Sequence, residues 1–177
     1  MSKILVHTKV ETPVGEMEIL ATDRGICLLE FDARKELEAE ILFLKKEFEA
    51  ELQVGENQHT LELKRQLKEY FENKRTIFSV PTVLSGTDFQ KRVWTELKTI
   101  PFGETRSYKE QTDKLGDPKA IRAVAKANGS NKIAILIPCH RVIGSDGKLT
   151  GYAGGIERKR FLLNLERQQN QPKDLFN

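Results

Sequence analysis

The sequence predicts a mixed α/β (α+β) fold in two units. Residues 1–84 begin with short apolar runs separated by turn signals, which indicates a small antiparallel sheet followed by helices. Residues 85–170 carry mostly helical patterns, two of them joined by a tight turn, which indicates a helix-turn-helix of winged-helix-like type. Residues 171–177 are left as a tail. The chain of 177 residues, 38% hydrophobic and 31% charged, is long enough to bury a core.

The first unit is predicted to open with three strands. The apolar or alternating runs are Ile4–Val10, Met17–Ala21 and Ile26–Phe31. Pro13-Val14-Gly15 separates the first two runs and Asp23-Arg24-Gly25 the last two, and both tripeptides are typical of turns. Short strands with such turns between them form an antiparallel meander.

Two helices should follow the meander. Apolar residues recur at helical spacing from Lys35 to Glu51, and a second helical pattern, from Leu61 to Phe71, follows Thr60. Thr76–Val83 contains Pro81, so it is either an edge strand or an extended linker.

The first unit shows no convincing chemistry. His7, Cys27 and His59 are its soft metal ligands, and no two of them stand at a zinc-finger spacing. Cys27 and Cys139 are 112 positions apart and form no C-x-x-C pair, so both are expected to be reduced thiols. We therefore predict no metal and no cofactor.

Charge is divided unevenly along the chain. Phe89–Glu166 carries 15 Lys and Arg against 8 Asp and Glu, whereas the remaining residues are net acidic. This asymmetry suits a unit that binds a polyanion such as nucleic acid, although a solvated surface shows the same excess.

The first ten residues, MSKILVHTKV, contain too few consecutive apolar residues for the core of a signal peptide. We therefore expect a cytoplasmic protein, or a nuclear one in a eukaryote.

The second unit is predicted to contain three consecutive helices. Asp88 is the expected N-cap of the first. Ser107 should cap the second, Tyr108–Leu115, with Glu110 completing a capping box. After the Gly116 stop, Asp117 and Pro118 open the third, Lys119–Ala127.

The third helix has one basic face and one apolar face. On a helical wheel Lys119, Arg122 and Lys126 fall in one sector, and alanines lie beside them at Ala120, Ala123 and Ala127. Ile121, Val124 and Ala125 point the other way. Because alanines let a helix axis approach a phosphate backbone closely, this pattern favours DNA binding.

Cys139 follows the apolar run Ile133–Ile137, which we expect to be a buried strand, and Pro138. His140 and Arg141 supply positive potential, which favours the thiolate over the thiol. The loop 144–155 has five glycines that let main-chain groups approach a ligand. A cysteine beside a potential base is a known nucleophilic arrangement, although simple packing explains most cysteines.

Pro138-Cys139-His140-Arg141-Val142 strongly resembles the O6-alkylguanine-DNA alkyltransferase family. The matches continue upstream in Arg122–Ala125 and Asn131, and downstream in Gly151-Tyr152, Gly154-Gly155, Leu162-Leu163 and Glu166. The resemblance is dense from Phe89 to Glu166 and extends to Thr12–Glu16 and Leu28–Phe31. Such an ordered set of matches is far more specific than one pentapeptide.

The resemblance implies that Cys139 accepts an alkyl group from O6 of a damaged guanine. It implies that His140 acts through water as a base together with Glu166, and that Asn131 shapes the turn between the DNA-binding helix and the site. Since a thioether is not hydrolysed as a thioester is, each molecule should react once, as a monomer on duplex DNA. Whether O4-alkylthymine is also repaired is left open.

The family's pattern also implies a pocket for a flipped base. Tyr108 would donate to guanine N3, the N–H of Ala153 would face O6, and carbonyls of Cys139 and Val142 would accept from the exocyclic amine, with Tyr152 in the same wall. Arg122 would fill the gap in the duplex. The expected DNA contacts are Arg122, Ala123, Ala120, Ala127, Lys119, Lys126 and Arg141.

This chain departs from the family's pattern in a few places. Gln111 and Thr112 stand where relatives commonly have an apolar residue and an alanine, so packing or DNA contacts at that helix should differ. Ala153 replaces a serine of some members and keeps only the N–H, and the zinc ligands of some relatives are not matched. A helix-turn-helix regulator would leave the Cys139 motif unexplained, and a cysteine hydrolase would leave the basic helix unexplained.

Overall fold

The computed structural model describes residues 3–170, so the predicted tail, 171–177, lies outside the described residues. The chain begins with a sheet in the order β3-β2-β1-β4, formed by β1 Lys3–Thr12, β2 Gly15–Ala21, β3 Ile26–Phe31 and β4 Ala50–Val54. The first three strands pair antiparallel, which confirms the predicted meander. The fourth pairs parallel with β1 and was not predicted.

Two helices pack with this sheet. Helix α1 spans Leu37–Phe48 and ends before the predicted Glu51, because Glu49 adopts a left-handed conformation (φ 49°) and Ala50 enters β4. Helix α2 spans Gln58–Phe71 and begins at an Asn57 cap, slightly earlier than the pattern indicated.

The segment 76–83 is an extended linker that touches the sheet at one point. Thr82 makes an isolated parallel bridge with Ile26, whose N–H donates to the Pro81 carbonyl over 2.8 Å. Of the two predicted alternatives, the extended linker is therefore the observed one, and its contact with the sheet is a single bridge.

The second unit contains α3 Asp88–Leu97, α4 Tyr108–Lys114, α5 Ile121–Gly129 and α6 Ile156–Asn170, with the short parallel strands β5 Arg106–Ser107 and β6 Val142–Ile143. The N-cap of α3 is Thr87, not Asp88, because the Thr87 hydroxyl accepts from Gln90. Ser107 and Glu110 form the predicted capping box, and Gly116 (φ +86°) follows α4. A 3₁₀ turn, Pro118–Ala120, then leads into α5.

The expected strand over 133–137 is wrong. These residues form buried turns, with a single bridge between Ile133 and Leu29 of β3. Ile135 lies in the left-handed region (φ 70°), which costs a β-branched residue roughly 1 to 3 kcal/mol. Backbone bonds from Leu29 to Lys132 and from Ala134 to Leu29 hold the segment against the sheet, so tertiary contacts override its strand propensity.

The main core joins the two units. One cluster of buried side chains includes Phe31, Leu67, Trp94, Val124 and Leu162, which come from both halves of the chain. The mixed α/β fold with a helical second half is as predicted, whereas the division into domains at residue 84 stays a prediction. None of the helices within residues 3–170 has the length and apolar character needed to cross a membrane.

Candidate active site

Cys139 opens a 3₁₀ turn, Cys139–Arg141, directly after the buried turns. The Cys139 N–H donates to the Ile137 carbonyl over 2.8 Å, and the Arg141 N–H donates to the Pro138 carbonyl over 3.0 Å. Cys139 itself is partly buried, whereas Cys27 is fully buried in the sheet. Of the two thiols, only Cys139 combines a fixed backbone with partial access.

Asn131 connects the end of α5 to this turn. Its amide nitrogen donates to the Ile137 carbonyl over 2.9 Å and to the Cys139 sulfur over 3.3 Å, and its amide oxygen accepts from the Ile133 N–H. Burial raises the pKa of the Cys139 thiol, and the hydrogen bond from Asn131 is the largest effect that opposes it. Asn131 therefore both shapes the turn and stabilises a thiolate.

His140 is buried and bonded to a buried carboxylate. Its Nε2 lies 2.7 Å from Oε1 of Glu166, and neither side chain is exposed to solvent. Burial lowers the pKa of His140. Because an ionised carboxylate can only accept, Nε2 carries the proton in the neutral ring, and Nδ1 keeps its lone pair. Nδ1 has no hydrogen-bond partner within residues 3–170.

Glu166 is an ionised carboxylate that accepts hydrogen bonds from four residues. It accepts from the Tyr70 hydroxyl (2.7 Å), the Gly103 N–H (3.3 Å) and the Arg141 guanidinium (2.9 and 3.0 Å) as well as from His140. Burial by itself would raise the pKa of Glu166, but the interactions with His140 and Arg141 outweigh burial and hold the pKa well below its usual range. A residue that would be an unremarkable surface carboxylate on sequence alone is thus fixed inside the site.

Arg141 does not lie where the sequence placed it. Its side chain is buried, bonded to Glu166 and to the Ile100 carbonyl (2.7 Å), and stacked over Phe102. It is therefore not positioned to contact DNA. Among the largest influences on the pKa of Cys139, those that lower it come from Asn131, Lys159 and Arg34, whereas the sequence had suggested His140 and Arg141.

A cavity of about 190 Å³ adjoins Cys139. Its lining comprises Tyr108, Ala125, Asn128, Gly129, Cys139, Gly151, Tyr152 and Ala153. Tyr108, Tyr152 and Ala153 were expected there, but Val142 is fully buried and absent from the lining. Ala125, Asn128 and Gly129 were missed, because the helical wheel assigned Ala125 to the apolar face and gave the two turn residues no role.

The two tyrosine hydroxyls of the cavity have different surroundings. The Tyr108 hydroxyl donates to the Thr150 carbonyl over 3.1 Å. The Tyr152 hydroxyl is buried and has no hydrogen-bond partner among residues 3–170, while its ring packs edge-on against Phe31. A buried unpaired hydroxyl is costly, so this group is available to a polar ligand.

Lys159 is a candidate site residue that the sequence analysis did not identify. Its ammonium group is fully buried and donates to the carbonyls of Val142 (2.5 Å), Thr150 (3.1 Å) and Gly151 (3.2 Å). Burial lowers its pKa to about 8, against the attraction of Cys139. The sequence pattern that could have identified it is helical spacing. On α6, Lys159 lies on the same helix face as Leu162, Leu163 and Glu166.

The prediction that α5 and its preceding turn contact DNA stays a prediction, and the exposure of most of its residues is compatible with it. Lys119, Arg122, Ala123 and Lys126 are exposed, and Ala120 is partly exposed. Ala127 is a correction: it is buried, and its carbonyl accepts from Trp94 Nε1 over 2.8 Å, so it cannot face DNA. Ile121 and Ala125 are exposed, which leaves Val124 as the buried member of the expected apolar face.

Arg34 of the first unit reaches the same turn. Its guanidinium donates to the carbonyls of Gly129 (2.8 Å) and Asn131 (3.2 Å), and it forms ion pairs with Glu30 and Glu40. The first unit thus supports the segment that holds Cys139.

Within residues 3–170 no group of three or more His, Cys, Asp or Glu could hold a metal ion, and the expectation that the protein needs none stays a prediction.

Two family models match this chain. Residues 88–168 match the 6-O-methylguanine DNA methyltransferase DNA-binding domain, and residues 5–84 match the ribonuclease-like domain of the same family.

Relatives match over nearly their whole length. The chain is 46% identical to the methylated-DNA–protein-cysteine methyltransferase of Methanosarcina barkeri over 160 residues, which is 89% of this chain and 94% of that protein. It is 44% identical to the constitutive enzyme of that name from Bacillus subtilis over 162 residues, which is 91% of this chain and 94% of that protein. The crystal structure of Mycobacterium tuberculosis OGT in complex with DNA superposes with a TM-score of 0.81 at 41% identity, covering 96% of this chain and 97% of that one.

Proposed function

This chain belongs to the 6-O-methylguanine DNA methyltransferase family, and from that premise we propose that it repairs duplex DNA by moving an alkyl group from O6 of guanine to its own Cys139. The observation that carries the proposal is the placement of the Cys139 thiol between the Asn131 amide and a cavity beside the basic helix α5. The sulfur forms a bond to the alkyl carbon as the bond from that carbon to O6 breaks. Guanine leaves with the electron pair and takes up a proton.

His140 is proposed to remove the thiol proton through a bridging water. The lone pair on Nδ1 supports this role, because the Glu166 bond leaves that nitrogen as the acceptor. Glu166 then stabilises the imidazolium that forms, without taking the proton itself. Arg141 and Tyr70 keep Glu166 ionised and fixed for this purpose.

The leaving guanine needs donors for its developing negative charge. Tyr108 is the proposed donor to N3, and the Ala153 N–H the proposed donor to O6. The carbonyls of Cys139 and Val142 are the proposed acceptors for the exocyclic amine, although the Val142 carbonyl already accepts from Lys159. The position of Tyr108 and Ala153 in the cavity wall supports these roles.

The reaction is proposed to occur once per molecule, because water does not cleave the thioether. Cys139 lies in a recess too narrow for a stacked duplex, so the damaged base must be flipped out, at a cost of a few kcal/mol. Arg122 fills the space that the base leaves, while Lys119 and Lys126 bind phosphates.

O4-alkylthymine is a second proposed substrate, since it presents the same O-alkyl group. We place the protein as a monomer on DNA, in the cytoplasm or, in a eukaryote, the nucleus.

A transfer assay tests the proposal. The protein is incubated with duplex oligonucleotide carrying radiolabelled O6-methylguanine, and label on the protein is counted. Wild type and Cys27→Ala, which removes the other thiol, should both take up label, and Cys139→Ser should not. Absence of label on folded wild type, or undiminished label on Cys139→Ser, would overturn the proposal.

A further inference from the structure

Gln111 of α4 and Asn128 of α5 form a reciprocal amide pair. Gln111 Nε2 donates to Asn128 Oδ1 over 2.8 Å, and Asn128 Nδ2 donates to Gln111 Oε1 over 2.7 Å. Both side chains are buried, with exposed fractions of 0% and 6%. Because each amide presents an oxygen to the other's nitrogen, each fixes its partner's orientation.

The amide pair connects two walls of the Cys139 cavity. Asn128 lines the cavity directly, on the α5 side. Gln111 lies one turn of α4 after Tyr108, which lines the cavity on the other side. Thr112, whose hydroxyl donates to the Tyr108 carbonyl over 2.6 Å, fastens the same turn.

We infer that the Gln111–Asn128 pair is a specificity-determining brace that holds the cavity narrow and favours small O6 adducts, such as methyl, over bulky ones, such as benzyl. The inference rests on the proposed function. The pair depends on the residue that this chain has at position 111. The apolar residue that relatives commonly have there could not form hydrogen bonds with Asn128.

The size of the cavity supports this inference. At about 190 Å³ it is smaller than the roughly 300 Å³ at which small-molecule pockets commonly begin. An aromatic adduct must therefore displace a wall. Displacing Asn128 breaks both hydrogen bonds of the reciprocal pair between two buried side chains, which is unfavourable.

The test compares single-turnover transfer from duplexes carrying O6-methylguanine and O6-benzylguanine. In Asn128→Ala and Gln111→Leu we expect the benzyl-to-methyl rate ratio to rise by about tenfold or more, since one wall shrinks or loses its anchor. Asn128→Ser, which keeps a hydroxyl for Gln111, carries the same expectation if the other variants fail to fold. The double variant Gln111→Leu/Asn128→Leu fills the wall without unpaired amides and should return the ratio toward wild type.

Gln66→Leu is the matched control. Gln66 is also a fully buried amide, but it pairs with Ser79 in the first unit, away from the cavity lining. It should lower the thermal midpoint and leave the rate ratio unchanged. An unchanged ratio in the folded cavity variants, or an equal change in Gln66→Leu, would overturn the inference while wild-type transfer upholds the proposed function. No transfer from either duplex by wild type would overturn both.

Discussion

The side-chain amide of Asn131 donates to the sulfur of Cys139 over 3.3 Å. The same side chain holds the Ile137 carbonyl and the Ile133 N–H, on either side of the strained Ile135. The nucleophile and the turn that presents it therefore depend on one buried amide.

Asn131→Ala should make the Cys139 thiol less reactive at neutral pH. The Asn131 hydrogen bond opposes the effect of burial, so its loss raises the pKa of Cys139 and moves the pH profile of alkylation by iodoacetamide to higher pH. We expect about a tenfold slower reaction at neutral pH in a Cys27→Ala background. Asn57→Ala, which removes the α2 cap instead, should leave the profile in place. A profile unmoved in Asn131→Ala would contradict the assigned role.

Glu166→Gln should destabilise the protein above about pH 5. The folded-state pKa of Glu166 is held below its ordinary value of 4.5, so its stabilising contribution is present above that pH and is lost as pH falls further. At neutral pH the variant leaves Arg141 buried without its anion, at a cost of about 3 kcal/mol. Urea unfolding should show this deficit at pH 7 and a smaller one at pH 3. An exposed carboxylate, in Glu157→Gln, should change neither value.

Lys159→Met should slow alkyl transfer and change the dependence of stability on alkaline pH. Lys159 lowers the pKa of Cys139 and holds three carbonyls of the cavity loop, so we expect transfer to fall by about tenfold. Its own pKa is lowered to about 8 from 10.5, so the unfolded chain binds the proton more tightly between these values. Wild type should therefore gain stability relative to the variant from pH 8 to pH 10. The exposed Lys148→Met is the control, and a constant difference between wild type and Lys159→Met would refute the assigned environment.

Lys119→Ala/Lys126→Ala should weaken binding to undamaged duplex DNA. Both lysines are exposed, one on α5 and one in the turn before it, and each phosphate contact adds about one to the slope of log affinity against log salt. Fluorescence anisotropy over a salt series should give a slope smaller by about two. Lys68→Ala, on α2 of the first unit, should keep the wild-type slope. If the double variant also keeps it, α5 is not the DNA-binding helix.

Local patterns predicted most of the fold, and non-local contacts account for the exceptions. The meander and the Ser107 capping box follow from nearby residues, so the sequence revealed them. Strand β4 was hidden because its first two residues, Ala50 and Glu51, fell within the predicted helix, and the strand is defined only by its pairing with β1. The run 133–137 has strand-like residues, but its bonds to β3 force buried turns instead.

The site was predicted through its resemblance to a family more than through its chemistry. Cys139 and Tyr108 line one cavity and His140 is bonded to Glu166, while the roles that the resemblance implies for them stay predictions. Arg141 appeared to be a surface cation because its partner, Glu166, is 25 positions away in the sequence. Lys159 was overlooked because a buried lysine is rare, and only the carbonyls gathered around it show that it belongs to the site.

The central claim is tested most directly by counting methyl groups on the protein after incubation with excess duplex containing O6-methylguanine. Intact-mass and peptide mass spectrometry measure the number and the position of the added groups. The account predicts one methyl group per molecule, on Cys139, with no further release of repaired DNA. Repaired DNA that exceeds the protein in molar amount, or a methyl group on another residue, would contradict it.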